Sequence, residues 1–433
     1  MENITIIAQM VAETIIKQLE ESVSMTDIER MTRQVINQIG QIALEKTLHA
    51  QVPPYPESCS PCVCGQLADY KRQRQTKLRT LCGEIWVKRG YYLCSECRCG
   101  HYPLDRQLGL RPNALSAELA RVVALTGVQL PFQKGCDLFE ELTQLSISDQ
   151  TMRKATLQVG QRVQQQELDM IHKAHDAQYV RHLNRNTKPP LRLYGTIDAV
   201  KVPVRDDPEQ KWRDLKIIAW FEARGQPPSQ PHGQWSIKAH NLSYHADIDS
   251  AKSFGSLLWG TAVATKAQLA RELIILADGA SWIWNLVDTY LSDAIQILDW
   301  FHAVEHLTPV AQVAFTDANQ QEAWLAFAKE LMWQGQIEQL IASIDCLAQT
   351  CSHDVLRKTA NYYETHQHRM RYDHFRRQGY QIGSGTIESA AKQIGLMRMK
   401  IPGATWNVQE ARLMAKARAS FLTDKWAELP LAY

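Results

Sequence analysis

Tyr194-Gly195-Thr196-Ile197-Asp198-Ala199-Val200 is the stretch whose reading decides the fold. It lies inside a β-type run, 191–204, and Asp198 is its lone acid. A carboxylate buried in an apolar strand is costly without a partner. Two further β-type runs follow, 215–223 and 235–245, and three such runs in succession predict an antiparallel meander. Beyond them come a helix-like run (250–271), the apolar strand Leu273-Ile274-Ile275-Leu276-Ala277, a helix from Ser281, and a strand from Ala294 to Leu298. Three adjacent strands followed by alternating helix and strand is the order of an RNase H-like α/β domain. Residues 303–380 are patterned as helix throughout, and Gly379 to Gly385 leads into a last helical region. The expected catalytic domain is therefore split, 190–302 and 381–433, by an all-α insertion at 303–380.

Three acids occupy positions suited to catalytic metal ligands. Asp198 is on the first strand, Asp278 follows the strand that ends at Ala277, and Glu388 lies in Ile387-Glu388-Ser389, with Ser384 or Thr386 as a cap for its helix. Singly each is weak evidence, since an acid at a strand end often only caps a helix or completes a turn. Together they form a constellation, because hard carboxylate oxygens suit Mg²⁺ (or Mn²⁺) and a two-ion site can drive in-line phosphoryl displacement. Asp299 and His302 follow another apolar strand, with His306 one helical turn further on. They read either as a helix start capped by Asp299 or as auxiliary groups beside the metals.

Upstream of this domain, residues 1–50 show two amphipathic runs of helical period, a hairpin with Thr26 and Glu29 as a capping box. Residues 51–110 are Cys-rich, basic and read as irregular. Seven of the ten cysteines fall between 59 and 99, and C-x2-C-x-C occurs at 59/62/64 and at 94/97/99. Paired CxxC elements of this kind signal a zinc ribbon, whose four thiolates close a tetrahedral structural site. The two-residue gap selects Cys59, Cys62, Cys94 and Cys97, with Cys64 or Cys99 as substitutes and His101 as a remote candidate. Cys136, Cys346 and Cys351 read as core residues. Residues 111–183 are helical, and 131–163 have the cadence of a helix-turn-helix whose second helix starts at Asp149. Gln150, Thr151, Arg153 and Lys154 would then lie where recognition helices meet base edges. Helix pairs with short turns are common in any helical domain. Asn184 to Pro190 reads as a linker.

At 433 residues the chain has room for several domains, and no run of about 18 apolar residues is present to span a bilayer. Met1-Glu2-Asn3 does not open a secretory signal, so the expected location is the cytoplasm. Net charge is only +2, but its distribution is uneven. Residues 51–111 hold ten Lys/Arg against five Asp/Glu, and 357–418 hold twelve against four. Two separated basic segments suit a protein that meets DNA in more than one place, although either alone is equally a solvated surface.

The run Leu276 to Asn285, the run Gln296 to Leu307, and Ile382 to Glu388 with Arg398-Met399-Lys400 and Trp406 together resemble the ISKra-type bacterial insertion-sequence transposases, in the wider group with Mutator-like elements. The resemblance spans about 50–426 and includes the cysteine element. It implies a DDE triad at Asp198, Asp278 and Glu388, and an auxiliary D-x2-H at Asp299 and His302. Ala199 departs from the Gly that many relatives carry after the first Asp, and each cysteine knuckle has one cysteine extra. The implied function is Mg-dependent cleavage at terminal inverted repeats of double-stranded DNA, then strand transfer into a target, by a homodimer or higher assembly. The zinc and helical segments would read the ends, while Arg398 and Lys400 would hold phosphates. The rivals are an RNase H-fold nuclease of another type and a catalytically silent, domesticated DNA-binding regulator.

Overall fold

The computed structural model describes residues 2–17, 24–52, 57–110, 114–186, 188–226, 236–383, 385–423 and 426. They form two compact units, divided between Ala155 and Thr156. That division runs through a helix and not through the stretch 184–190 that reads as a linker. No helix among the described residues is long and apolar enough to cross a membrane.

The first unit opens with helices α1 (Glu2–Ile16) and α2 (Met25–Ala50). The box that starts α2 is Ser24 with Asp27, not Thr26 with Glu29: the Ser24 hydroxyl accepts from the Asp27 N–H, and the Asp27 carboxylate accepts from the Ser24 N–H. The cap therefore falls two residues earlier, where the backbone of Ser24 is still extended. The Cys-rich segment is not irregular. It forms an antiparallel sheet in the order β1 (Cys59–Pro61), β2 (Leu67–Thr80), β3 (Gly83–Cys94), β4 (Gly100–His101). Strands β2 and β3 make a long ribbon, one face of which buries Leu78, Ile85 and Val87 against Leu104 and, from α2, Leu44 and Leu48. The period of two is hard to see in the sequence because Thr76, Thr80 and Arg89 also point inward.

After α3 (Pro103–Leu108) come α4 (Ala117–Gln129), α5 (Phe132–Thr143) and α6 (Asp149–His175), and α7 (Ala177–Asn186) follows in the second unit. The turn between α5 and α6 has Gln144 in the left-handed region, and α6 begins at Asp149 as the sequence predicts. Gln150 and Lys154 are exposed there, while Arg153 is half-buried.

The second unit is built on a five-stranded sheet. Its strands are β5 (Arg192–Pro203), β6 (Trp212–Gln226), β7 (Ser236–Asp247), β8 (Glu272–Ala277) and β9 (Ile295–Leu298), in the spatial order β7-β6-β5-β8-β9. The first three pair antiparallel; β8 and β9 run parallel to β5. Parallel neighbours need crossover helices, here α8 (Ala251–Ala264) and α9 (Ser281–Tyr290). With helices covering it, β8 reads as unbroken apolar sequence, and Ile274, Ile275, Leu276 and Ala277 are all buried. The order of elements is the one expected, a mixed α/β domain, with strand ends moved by up to three residues. The β-type run from 235 begins at a residue outside those described.

Between the sheet and the last helices run α10 (Trp300–Glu305), α11 (Leu307–Ala314), α12 (Ala318–Trp333), α13 (Ile337–Thr350), α14 (Asp354–His366) and α15 (Tyr372–Arg377). The chain returns through α16 (Gly385–Ala391), a π turn at Lys392–Leu396, α17 (Met397–Met399) and α18 (Val408–Leu422). A Cβ on Gly395 would come within 2.5 Å of Val200, so glycine lets the π turn press onto β5 beside Asp198. The second half of α6 belongs to this unit. Its Glu167 is buried with Lys416 of α18, whose ammonium, 1% exposed, also meets Asp247 at 2.7 Å, while His245 bonds Glu167 at 2.9 Å. Cations and acids this deeply buried are tolerated only as a mutually paired set.

Candidate active site and metal centre

Parallel pairing brings the acids together. Ile197 is in register with Ala277, and Ala277 with Leu298, so Asp198, inside β5, lies level with Asp278 and Asp299, which directly follow the carboxyl ends of β8 and β9. Carboxyl ends of parallel strands are where α/β sheets place their ligand-binding groups, because the crossover leaves a crevice there. Glu388 arrives from the other side of the insertion. The loop ahead of α16 is tied down twice: the Gln381 N–H donates to the Tyr194 hydroxyl at 3.1 Å, and the Trp300 N–H donates to the Ile382 carbonyl at 2.9 Å. Ser384, one of the two caps expected, lies outside the described residues; Glu388 itself is exposed on α16.

The electrostatics register this convergence. Burial lifts the Asp198 carboxyl to about 6, the negative charges of Asp278 and Glu388 push the same way, and the Ala199 N–H and His302 oppose them. The Ala199 N–H donates to Asp198 Oδ1 at 2.6 Å, and the Ala280 N–H to Asp278 Oδ1 at 2.9 Å. Asp299 is 2% exposed and accepts from the His302 N–H at 2.7 Å, so it caps α10 and, by doing so, fixes the helix start that carries His302, whose charge is felt at Asp198. The cap and the auxiliary reading are thus not exclusive. The carboxylates influence one another without forming a closed cage: among the described residues only four cysteines bring three or more ligand atoms within 4.8 Å of one another.

A raised carboxyl has a stability signature. A folded-state value near 6 against about 3.9 unfolded means that the proton is held more tightly in the folded state. The contribution is fully present below about pH 4 and lost as pH rises through about 6, a change on the order of 3 kcal/mol. In chelator-treated protein, urea unfolding from pH 4 to 7 should therefore show wild type losing stability relative to Asp198→Asn. Parallel pH curves for the two proteins would contradict the burial of Asp198 among like charges.

Tyr362, on α14, is a neighbour that no local sequence signal announces. Its hydroxyl is buried with no hydrogen-bond partner among the described residues, burial chiefly drives its pKa upward, and the charges of Asp278 and Asp299 push the same way. A Cβ on Gly279 would lie 2.3 Å from that hydroxyl, so the Asp278-Gly279 turn admits the ring only because it carries no side chain. The ring packs 4.2 Å from His306, which in turn meets His302 edge-on at 5.2 Å. The helical insertion therefore contributes to the site and does not merely interrupt the domain.

Of the two basic C-terminal residues expected on phosphates, Arg398 is not available. It is 2% exposed, with its guanidinium 5.3 Å above Trp406, and burial with help from nearby Arg418 lowers it to about 10. The expectation is corrected: the Met-Arg-Met turn points its cation inward. Lys400 is exposed, 5.3 Å over Trp212.

In the first unit the sulfur atoms of Cys62, Cys64, Cys94 and Cys97 all lie within 4.8 Å of one another, and these four could hold a metal ion. The pairs Cys62–Cys97 and Cys64–Cys94 stand 3.5 and 3.7 Å apart. Four thiolates about 2.3 Å from a tetrahedral Zn²⁺ would have edges of about 3.8 Å, so the set fits. Cys59 is replaced by Cys64. Cys59 is spent in β1, paired with Asp69, whereas the tight turn begins at Cys62, closed by Cys62 N–H to Gln66 at 2.8 Å and by Gly65 at φ 86°. That turn aims the Cys64 N–H at the Cys62 sulfur, which brings Cys62 down to about 7, and the Gln66 N–H at Cys64. Cys97 accepts from the Cys99 N–H through Arg98 at φ 56°. Cys99 is exposed, and His101 bonds Ser60 at 3.2 Å.

Compared with known proteins, residues 18–426 match the family described as "Uncharacterised protein family (UPF0236)". No curated protein matches the chain.

Proposed function

We propose, for a chain that belongs to the UPF0236 family, that it is a DDE transposase of an insertion sequence, acting on double-stranded DNA through an RNase H-like domain. The observation that carries the reading is the juxtaposition of Asp198, inside β5, with Asp278 and Asp299 at the ends of the adjacent strands β8 and β9, with the charge of Glu388 felt at Asp198. The strand order, three antiparallel followed by two parallel to the first, supports the RNase H-like assignment.

The donor set fits divalent Mg²⁺ or Mn²⁺, because Asp198, whose carboxyl is pushed up by burial and further by the charges of Asp278 and Glu388, is relieved by a hard cation. Asp198 and Asp278 would hold the ions and Glu388 would complete the shell. When bound, such ions supply an activated oxygen nucleophile and stabilise the departing oxygen of an in-line displacement. Asp299 anchors α10 and with it His302 beside Asp198. The Tyr362 hydroxyl offers a donor next to Asp278. The first unit would bind the terminal inverted repeats, with zinc as a structural ion among its four cysteines. Lys400, not Arg398, would contact phosphate near the active site. Joining two ends at once calls for a homodimer or larger assembly on DNA.

The test is strand transfer: purified full-length protein, Mg²⁺, a duplex copied from the DNA flanking its own gene, and a plasmid target. The expected product is a 3′ end joined covalently to the plasmid. Cleavage without joining would point instead to a nuclease, and end binding with neither cleavage nor joining in Mg²⁺ or Mn²⁺ would mark a silent regulator.

A further inference from the structure

The β2–β3 ribbon has one face sealed and the other bare. Alternation along the strands sends Thr76, Leu78, Ile85 and Val87 inward and leaves Gln73, Gln75 and Lys77 of β2 and Glu84, Trp86 and Lys88 of β3 in solvent. Register places Gln75 opposite Lys88, and Lys77 opposite Trp86. Trp86 is 48% exposed and has the Lys77 ammonium 5.3 Å from its ring. The Lys77 ammonium also pairs with the Glu84 carboxylate at 3.1 Å, which leaves Lys88 as the cation of the row beside Gln73 and Gln75, and an exposed tryptophan among such groups is unusual for a merely solvated face, since a large aromatic there is normally covered. It is equally unlike a protein-docking face, whose centre would be largely apolar and poor in charge.

The chemistry of the row is that of a nucleic-acid reader: amide and ammonium groups that suit the base edges of adenine and guanine, and one aromatic for apolar contact. A two-stranded ribbon also fits a groove about 12 Å wide. The ribbon is held in place at its far end. The Arg79 guanidinium donates to the Ser146 carbonyl in the α5–α6 turn, and the Arg79 backbone exchanges bonds with Ala114 at 3.1 Å and Ser116 at 2.7 Å. That turn immediately precedes the exposed Gln150 and Lys154 of α6.

We infer that the solvent face of the β2–β3 ribbon docks in the major groove of duplex DNA, with Gln75 and Lys88 on base edges, and that Arg79 couples it to the first turn of α6 as one reading surface. This rests on the reading of the chain as a DNA-binding transposase, and it goes beyond that reading by naming the element and the groove.

The experiment measures equilibrium binding of the full-length protein to the flanking-DNA duplex and to a scrambled duplex across a salt series. The proteins are wild type, Trp86→Ala, Lys88→Gln, and Gln75→Ala with Lys88→Gln together, with metal content and circular dichroism confirming that each is folded. The double variant should bind the flanking duplex about tenfold more weakly while losing less on the scrambled one. Lys88→Gln should reduce the slope of log affinity against log salt by about one. Methylation of guanine N7, a major-groove atom, should block wild type. Tight, salt-sensitive binding by wild type that none of the three folded variants alters would overturn the inference and leave the DNA reading standing. Failure of wild type to bind either duplex would overturn both.

Discussion

Asp198→Asn, Asp278→Asn and Glu388→Gln should each reduce cleavage and strand transfer by about a thousandfold or more, while binding to the DNA ends and overall folding stay close to wild type. The size follows from the task assigned to these groups. A carboxylate that holds a divalent ion contributes several kcal/mol of charge stabilisation to a phosphoryl displacement, and each 1.4 kcal/mol of barrier is about tenfold in rate. Folding should be spared because none of the three supports the core. Asp198 is the informative case, since its carboxyl is lifted to about 6 by burial and then by Asp278 and Glu388. Removing that charge relieves repulsion, so Asp198→Asn should be at least as stable as wild type at pH 7 in chelator, yet inactive. An Asn variant that still joins DNA would refute the mechanism. So would a variant inactive only because it unfolds. Asp299→Asn and His302→Ala are the graded members: Asp299 caps α10 and the charge of His302 is felt at Asp198, so partial loss is expected from each.

What the sequence reveals and what it conceals divide along physical lines. Strand order, the insertion and the placement of Asp278 and Asp299 are legible because apolar runs such as Leu273–Ala277 and their flanking acids are local signals. Asp198 stands out for the same reason, as a polar residue in a run that has to be buried. The ribbon β2–β3 is hidden, since its buried face includes Thr76, Thr80 and Arg89 and breaks the apolar alternation. Arg398 misleads because only the folded chain puts its cation over Trp406 and next to Arg418. Tyr362 sends no signal, for its value lies in a contact with Gly279 across more than eighty positions of sequence. Cys59 and Cys64 are chemically alike, and spacing favours the wrong one.

That last pair gives the second large effect. Purified protein should contain about one zinc per chain, as a four-thiolate site requires. Cys64→Ser should lose the metal and the sheet around it, whereas Cys59→Ser should keep both. The structural reason is the turn that starts at Cys62: Cys64 sits within it, 3.7 Å from Cys94 and accepting from the Gln66 N–H, while Cys59 is paired in β1 one strand-length away. The expected loss is large because the sulfurs have little else to hold them together; the core at that end is a small cluster of Cys62, Ala68, Tyr92 and Cys94 with Tyr70 and Cys97 against it. Structural zinc binding to small domains is worth roughly 10 kcal/mol or more at neutral pH, more than such a cluster supplies. Chelation should therefore melt the cysteine end of the sheet, while the far end of the ribbon, with its own core of Leu78, Ile85 and Val87, and the five-stranded sheet of the second unit persist, which hydrogen exchange read separately over 59–70 with 91–101, over 76–88 and over 192–298 would resolve. Zinc retained by Cys64→Ser but lost by Cys59→Ser would reassign the ligand. A metal-free wild type with a fully protected sheet would remove zinc from the account of this unit altogether.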